Sequence, residues 1–292
     1  MRISEILKGK RSFSFEVFPP NTQVGSLDDI YNTIDALQTY NPDFISVTFK
    51  SSGDFSKDTI DLASYIRNHT SAEPLVHLTC GALKEDDVDR LIEVLKKENL
   101  ENVLALRGDR PQNFEREFLQ HFHYASDLMK YLKERHNFCM GAACYAEGHI
   151  ECTSLYEDLV NLKIKQDCGA EFFISQLFYD NNYYYRLVRA AKKMGITIPI
   201  IPGIMPLTST KMFHKIQHMA GASIPFELRV LFDRFKDNKQ AMHEIGIAYA
   251  VNQIIELLAN DADGIHIYTM NNASVAQEIY ERISSVVETE LR

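Results

Sequence analysis

Apolar residues along this chain recur in two periods that take turns. Over residues 13–17, Phe13, Phe15 and Val17 alternate with Ser14 and Glu16, the two-residue period of a strand, and Pro19 and Pro20 end it because proline has no N–H for a ladder. A helical spacing follows over 27–37, then a compact apolar strand over 44–49. The exchange continues with strands over 75–79, 103–106, 139–144, 172–176, 198–201 and 264–268. Between them lie helices over 59–67, 86–97, 126–134, 154–166 and 181–193, a longer helical region over 211–259, and a closing helix from Ala273. Several strands are nearly continuous apolar runs, as expected of a parallel sheet covered on both faces. Eight strand-then-helix units over 292 residues predict one α/β domain spanning 1–292, a (β/α)8 TIM barrel, with a doubly wound open sheet as the alternative.

Composition narrows the function classes. A chain of this length with 45% hydrophobic residues can bury a large core. The net charge of -9 forms no blocks and the basic residues form no stripe, which argues against duplex nucleic acid as a partner. Cys80, Cys139, Cys144, Cys152 and Cys168 are odd in number and show no CxxC spacing, and the start of the chain lacks a signal-peptide apolar region. A reducing, cytoplasmic setting is expected. The longest apolar stretch, 196–207, is broken by Pro199, Pro202, Gly203 and Pro206 and is too short to cross a bilayer, so no membrane partner is expected.

In a parallel barrel the chemistry sits at the carboxyl ends of the strands. Glu16, Thr48, His77 with Thr79, Arg107 with Asp109, Tyr145, Gln176, Gly203 and Tyr268 all fall there. Each has a plain structural reading as well: a core histidine, a turn aspartate after Gly108, a glutamine satisfying a loop amide. Together, two carboxylates, a guanidinium and several neutral donors suit a polar, conjugated substrate better than a metal. Glu16 is the one ionisable group in an aromatic and β-branched run, a setting that makes a carboxyl group a candidate proton donor. A zinc site fails on spacing, since His121 and His123 fall in a loop and His214 and His218 lack an intervening Glu. No GxGxxG or GxxxxGK[ST] loop occurs. Asp158, Asn161 and Lys165 share one face of a helix that starts just after Tyr145 and His149; the face is either solvated or able to bind a ribityl chain or a phosphate.

In chain order, Ser14-Phe-Glu-Val-Phe-Pro-Pro20, Ser46-Val-Thr48, His77-Leu-Thr-Cys80, Leu104-Ala-Leu-Arg-Gly-Asp109, Tyr124-Ala-Ser-Asp127, Gln176-Leu-Phe-Tyr-Asp180, Ile201-Pro-Gly-Ile-Met-Pro206 and His266-Ile-Tyr-Thr269 resemble the 5,10-methylenetetrahydrofolate reductases over nearly the whole chain. The resemblance implies a barrel holding non-covalent FAD, which takes a hydride from NADH or NADPH and reduces 5,10-methylenetetrahydrofolate to 5-methyltetrahydrofolate by a ping-pong mechanism. It implies that Glu16 is the general acid and that Asp109 lies near flavin and pterin. By the same resemblance, Gln176 and Tyr268 meet the folate. Thr48, His77, Arg107, Gly108, Asp109, Tyr124, Ala125, Tyr145, His149, Asp158, Asn161 and Lys165 match FAD-contacting positions. A homo-oligomer is expected.

Three positions depart from the pattern. Thr210 stands where bacterial members can carry a Phe that packs on nicotinamide and folate, Asn272 where a basic residue meets the glutamate tail, and Ile164 where an Arg lies on the FAD-facing helix. They leave open the donor, the tail affinity and part of the FAD affinity. The chain's end at the barrel leads us to expect no S-adenosylmethionine-binding domain and no feedback by that ligand. Two other readings stand beside this one. The first is a folate-reducing flavin subunit of an electron-transfer complex fed by a partner protein. The second is a non-flavin barrel such as an aldolase, which needs a Schiff-base lysine that these strand ends lack.

Overall fold

β1 (Ser12–Val17) sits between β2 (Phe44–Val47) and β9 (Gly264–Tyr268), paired in parallel with both, so the first and last strands of the chain are neighbours. This is seen in a computed structural model that describes residues 1–20, 25–49, 57–109, 118–219 and 222–291, apart from the side chains of 215 and 217–219. From β2 the parallel sheet runs through β3 (Glu73–Thr79), β4 (Asn102–Leu106), β5 (Cys139–Cys144) and β6 (Ala170–Ser175) to β7 (Ile200–Ile201). On the other side of β1, β9 pairs with β8 (Gly203–Ile204).

Only Pro202 separates β7 from β8, and its carbonyl accepts the His266 N–H at 3.0 Å. The two short pieces therefore act as one eighth strand that changes partner at a residue with no N–H to donate, and this closes the (β/α)8 TIM barrel. The predicted strand over 198–201 is thus only the first half of the observed one.

The helices alternate with the strands as the periodicity predicts: α2 (Leu27–Gln38), α3 (Lys57–His69), α4 (Glu85–Lys97), α5 (Ala125–Arg135), α6 (Leu155–Asp167) and α7 (Asn181–Lys193). The long region predicted over 211–259 is three helices, α8 (Thr210–Met219), α9 (Phe226–Phe235) and α10 (Lys239–Ala259). Residues 220 and 221 and the His218 side chain, which fall within that expectation, lie outside the described residues. Gly246 lets α10 lie against the chain before α8, since a Cβ there would come within 2.0 Å of the Leu207 carbonyl oxygen. α11 (Ala273–Glu290) closes the ring.

One helix was not anticipated. α1 (Ile3–Gly9) precedes β1, and its Ile3 is buried with Phe44, Leu75, Leu104 and Phe172 inside the amino end of the barrel. The Ile3 N–H donates to Asn102 Oδ1 at 2.9 Å, so α1 stoppers the end opposite the strand carboxyl termini.

Along β1 the alternation sorts the two faces. Phe13, Phe15 and Val17 join the outer layer with Ile34, Leu37 and Ile279 from the helices, which turns Ser14 and Glu16 inward. The barrel interior is thereby apolar at its amino end and polar at its carboxyl end, where Ser14, Ser46, His77 and His266 are all buried. Among the described residues no helix is long and apolar enough to cross a membrane.

Candidate active site

The polar end of the barrel opens into a cleft of about 460 Å³. Glu16, Thr48, His77, Arg107, Asp109, Tyr145, Gln176 and Tyr268 line it, all residues the strand-end rule puts at this end, together with Gly108 and His149. Ala143, Leu177, Met205 and Met270 supply apolar walls that the sequence reading did not assign. An adjoining pocket of about 380 Å³ shares Thr48, His77, Arg107, Gly108 and Asp109 and adds Thr79.

Glu16 forms the floor, but its neighbours are polar, not the apolar shell read from its flanking residues. Ser46 Oγ donates to its Oε2 at 3.4 Å, His77 Nε2 lies 3.4 Å from the same oxygen, and His266 Nε2 lies at 3.9 Å. Phe13 and Phe15 pack in the outer layer, on the face of β1 away from the carboxylate.

Beneath Glu16 runs a buried chain of hydrogen bonds. Ser46 Oγ is 3.4 Å from His266 Nε2, and His266 Nδ1 is 2.8 Å from Ser14 Oγ, which also reaches the Ile265 carbonyl at 3.2 Å. Either tautomer of His266 completes it. With a proton on Nε2, Ser14 donates to Nδ1, Nε2 donates to Ser46, and Ser46 donates to a charged Glu16. With a proton on Nδ1, each donor reverses and the Ser14 hydroxyl turns to the Ile265 carbonyl. Ser46 therefore has a partner in Glu16 in both protonation states of the carboxyl group, whose side chain also lines the cleft. Ser14 could have been found from sequence, since it shares the inward face with Glu16; His266 entered only through a motif.

His77 is the other buried polar group. Burial, partly offset by Glu16, brings its ring down to about 4, so it is neutral at physiological pH. Glu16 is near but out of line, and Nε2 has no hydrogen-bond partner among the described residues. The unfolded chain takes up this proton near pH 6.5, whereas the native ring does so only near 4. The contribution to stability is full above pH 6.5 and is lost as pH falls towards 4, about 3 kcal/mol in all. Denaturation midpoints should therefore drop between pH 7 and 4.5, and His77→Gln should flatten that drop; equal slopes in both proteins would dismiss this assignment.

Arg107 lies at the cleft mouth, paired with the Glu151 carboxylate through two bonds, Nη2 to Oε1 being 2.7 Å. No spacing in the sequence pointed to Glu151. Gly108 follows with φ at 80°, and a Cβ there would lie 2.9 Å from that of Thr79, so the turn presenting Asp109 favours glycine. Asp109 itself is exposed on the rim. Burial, with Asp109 and Asp158 adding to it, pushes the Tyr145 phenol up to about 12, and its ring meets His149 edge-on at 4.7 Å.

Behind this wall, Lys165 Nζ donates to the Ala143 carbonyl at 2.9 Å, and Asp158 accepts the His149 N–H at 3.3 Å. Burial pushes the Asp158 carboxyl up and the Lys165 ammonium down. Asn161 is exposed and reaches Cys152 Sγ at 3.7 Å. Gln176 Oε1 accepts the Leu177 N–H at 2.9 Å, and the Tyr268 hydroxyl donates to the Ser175 carbonyl at 2.7 Å.

Besides Asp158, Asn161 and Lys165, three more predicted site residues lie off the cleft lining. Tyr124 is exposed where it caps α5, and Ala125 is buried in that helix's first turn. Thr210 opens α8 with its hydroxyl donating to the Lys236 carbonyl at 2.9 Å. The departures at Asn272 and Ile164 also have local explanations: Asn272 caps α11, and Ile164 is a half-exposed position on α6. Among the described residues no group of three His, Cys, Asp or Glu side chains could hold a metal ion.

Known proteins resemble this chain in sequence and in fold. The "Methylenetetrahydrofolate reductase (NADH) 1" of Arabidopsis thaliana is 34% identical over 278 residues, which cover 90% of this chain and 47% of the plant protein. The "5,10-methylenetetrahydrofolate reductase" of Escherichia coli (strain K12) is 32% identical over 273 residues, covering 94% of this chain and 90% of that one. The chain thus spans about half the length of the plant relatives it matches. A solved structure described as an uncharacterized protein from Clostridium thermocellum that binds two copies of 5-methyl-5,6,7,8-tetrahydrofolic acid superposes with a TM-score of 0.70. It covers 98% of this chain and 99% of its own at 14% identity, a likeness of fold. The model of the methylenetetrahydrofolate reductase family matches residues 2–284, and with these relatives it establishes that the chain belongs to that family.

Proposed function

We propose that this protein reduces 5,10-methylenetetrahydrofolate to 5-methyltetrahydrofolate with non-covalent FAD and with NADH or NADPH as donor. The observation that carries the reading is a single carboxyl group, Glu16, on the floor of a closed barrel's cleft, hydrogen-bonded to Ser46 whether or not it carries a proton. Opening the methylene bridge needs a proton delivered to the folate N10 as the bond from that nitrogen to the bridging carbon breaks, leaving an iminium at N5. Glu16, whose side chain lines the cleft, supplies that proton, and Ser46 donates to the carboxylate that remains. Asp109, on the rim, places negative charge where the iminium forms.

The residues present suit a flavin. His77 Nε2 and Thr79 Oγ1 are buried polar atoms without hydrogen-bond partners among the described residues, and both side chains line the adjoining pocket. A ring system carrying both donors and acceptors would satisfy them. Thr48, Gly108, Tyr145 and His149 would hold the same group from the cleft wall, and Arg107 at its mouth would meet the phosphates. When bound, FAD would accept a hydride from the nicotinamide and pass it to the folate in separate half-reactions, hence ping-pong kinetics.

The purified protein is expected to be yellow, to bleach anaerobically with NADH or NADPH, to regain colour with methylenetetrahydrofolate, and to give parallel double-reciprocal lines. A colourless protein that neither binds FAD nor gains activity with it would end the flavoenzyme reading. Bleaching by a low-potential chemical reductant alone, followed by normal folate turnover, would replace the nicotinamide with a partner protein as donor.

A further inference from the structure

The apolar residues of α8 and α9 stand apart from the main core. Phe213, Ile224, Leu228 and Phe232 form a separate cluster with Tyr179 and Met242, and Leu177 and Met205 belong both to that cluster's edge and to the cleft lining. The α8–α9 unit thus backs one side of the cleft. The turn between β5 and α6, with Tyr145, Gly148 and His149, forms another.

Glu147 joins the two sides. The Gly148 N–H donates to the Tyr145 carbonyl at 3.2 Å and Gly148 takes a φ of 90°, a tight turn that fixes residue 147 between cleft-lining neighbours. Glu147 itself is not part of the lining. Its carboxylate accepts the Ser223 N–H at 3.0 Å on Oε1 and 3.1 Å on Oε2, and the Ser223 hydroxyl donates to Oε2 as well, across 76 positions of the chain. Ser223 lies two residues before Pro225, which caps α9. Burial pushes the Glu147 carboxyl up, the Ser223 hydrogen bonds oppose that push, and Asp180 adds to it. A half-buried carboxylate is costly to keep, and here its donors come from one residue of a distant segment.

We propose that Glu147 is a positioning residue whose carboxylate ties the α8–α9 unit to the β5–α6 turn and so sets the width of the cleft in which the folate meets the flavin. The kinetic consequence rests on the proposed reaction, while the tie itself can be read without turnover. Molecules with the two sides in register bind substrate tightly, and apparent affinity falls in proportion to their fraction. Hydrogen bonds to a charged acceptor are strong enough for their loss to cut that fraction about 10-fold.

In the FAD-loaded protein, Glu147→Ala should raise the KM for methylenetetrahydrofolate about 10-fold and leave kcat within about 2-fold. Ser223→Ala, at an exposed position, keeps the N–H bonds and loses the hydroxyl, so its KM should fall between. The swap Glu147→Lys/Ser223→Glu replaces the tie by an ion pair of reversed sense and should restore most of the affinity, whereas Glu147→Lys alone should not. Amide hydrogen exchange gives a readout without substrate. The Gly148 and Arg229 N–H groups are bonded to the Tyr145 and Pro225 carbonyls, not to Glu147, and should exchange faster in Glu147→Ala and normally in the swap. An unchanged KM, a loss confined to kcat, a swap that restores nothing, or unaltered exchange each overturns the proposal. A wild type without folate reduction would end the functional reading alone, since exchange would still judge the tie.

Discussion

Glu16→Gln is expected to leave reduction of the protein by its nicotinamide donor near normal, while the folate half-reaction falls by on the order of 100-fold or more. The asymmetry follows from where a proton is needed: bridge opening consumes one at the folate, and hydride acceptance from nicotinamide draws none from this carboxyl group. A factor of 100 corresponds to about 3 kcal/mol of transition-state stabilisation, the contribution of a positioned general acid. Glutamine keeps the size of the side chain and an oxygen to accept from Ser46, so the cleft should keep its shape. Stopped-flow measurement separates the halves: bleaching by NADH or NADPH reports the first, and reoxidation by methylenetetrahydrofolate the second. Unaltered reoxidation would remove Glu16 from the chemistry, and an equal loss in both halves would make its role structural.

Gly203→Ala should destabilise the fold and weaken the folate half-reaction together. A Cβ at 203 would sit 2.3 Å from the Ser175 carbonyl oxygen and 2.6 Å from the Tyr268 ring. The first neighbour is backbone in the adjoining strand and cannot swing aside. Either β8 shifts away from β9, where Gly203 pairs with His266, or Tyr268 moves and its hydrogen bond to Ser175 breaks. We expect a loss of about 2–3 kcal/mol in chemical denaturation, in the range of overpacked cores. Tyr268→Phe is the control: it keeps the ring and removes one hydrogen bond, costing about 1 kcal/mol. A Gly203→Ala protein as stable and as active as the wild type would show that β8 has room the geometry denies it.

The two substitutions probe features of different origin. The position of Glu16 was readable, because Pro19 and Pro20 end β1 and the strand-end rule then places the preceding polar residue at the carboxyl end of the barrel. Gly203 had been singled out only as a rim position. Its reason for being glycine comes from Ser175 and Tyr268, on strands that no local pattern joins to it.

The sequence alone determined the alternation of strands and helices, the parallel sheet, and half of the cleft lining, since these depend on period and on chain order. The two-residue period put Ser14 beside Glu16 on one face of β1, but it could not tell that this face looks inward. That was decided when helices from both ends of the chain covered Phe13, Phe15 and Val17. Closure brought His266 to Ser14 across 252 positions, turning an apparently isolated carboxyl group into one end of a hydrogen-bonded chain. It also fixed what spacing could not: α1 in the amino end of the barrel, the change of partner at Pro202, Glu151 on Arg107, and Thr210 held against the Lys236 carbonyl. Each of these is a contact between distant segments, and such contacts are set by which surfaces remain to be covered once the barrel has closed.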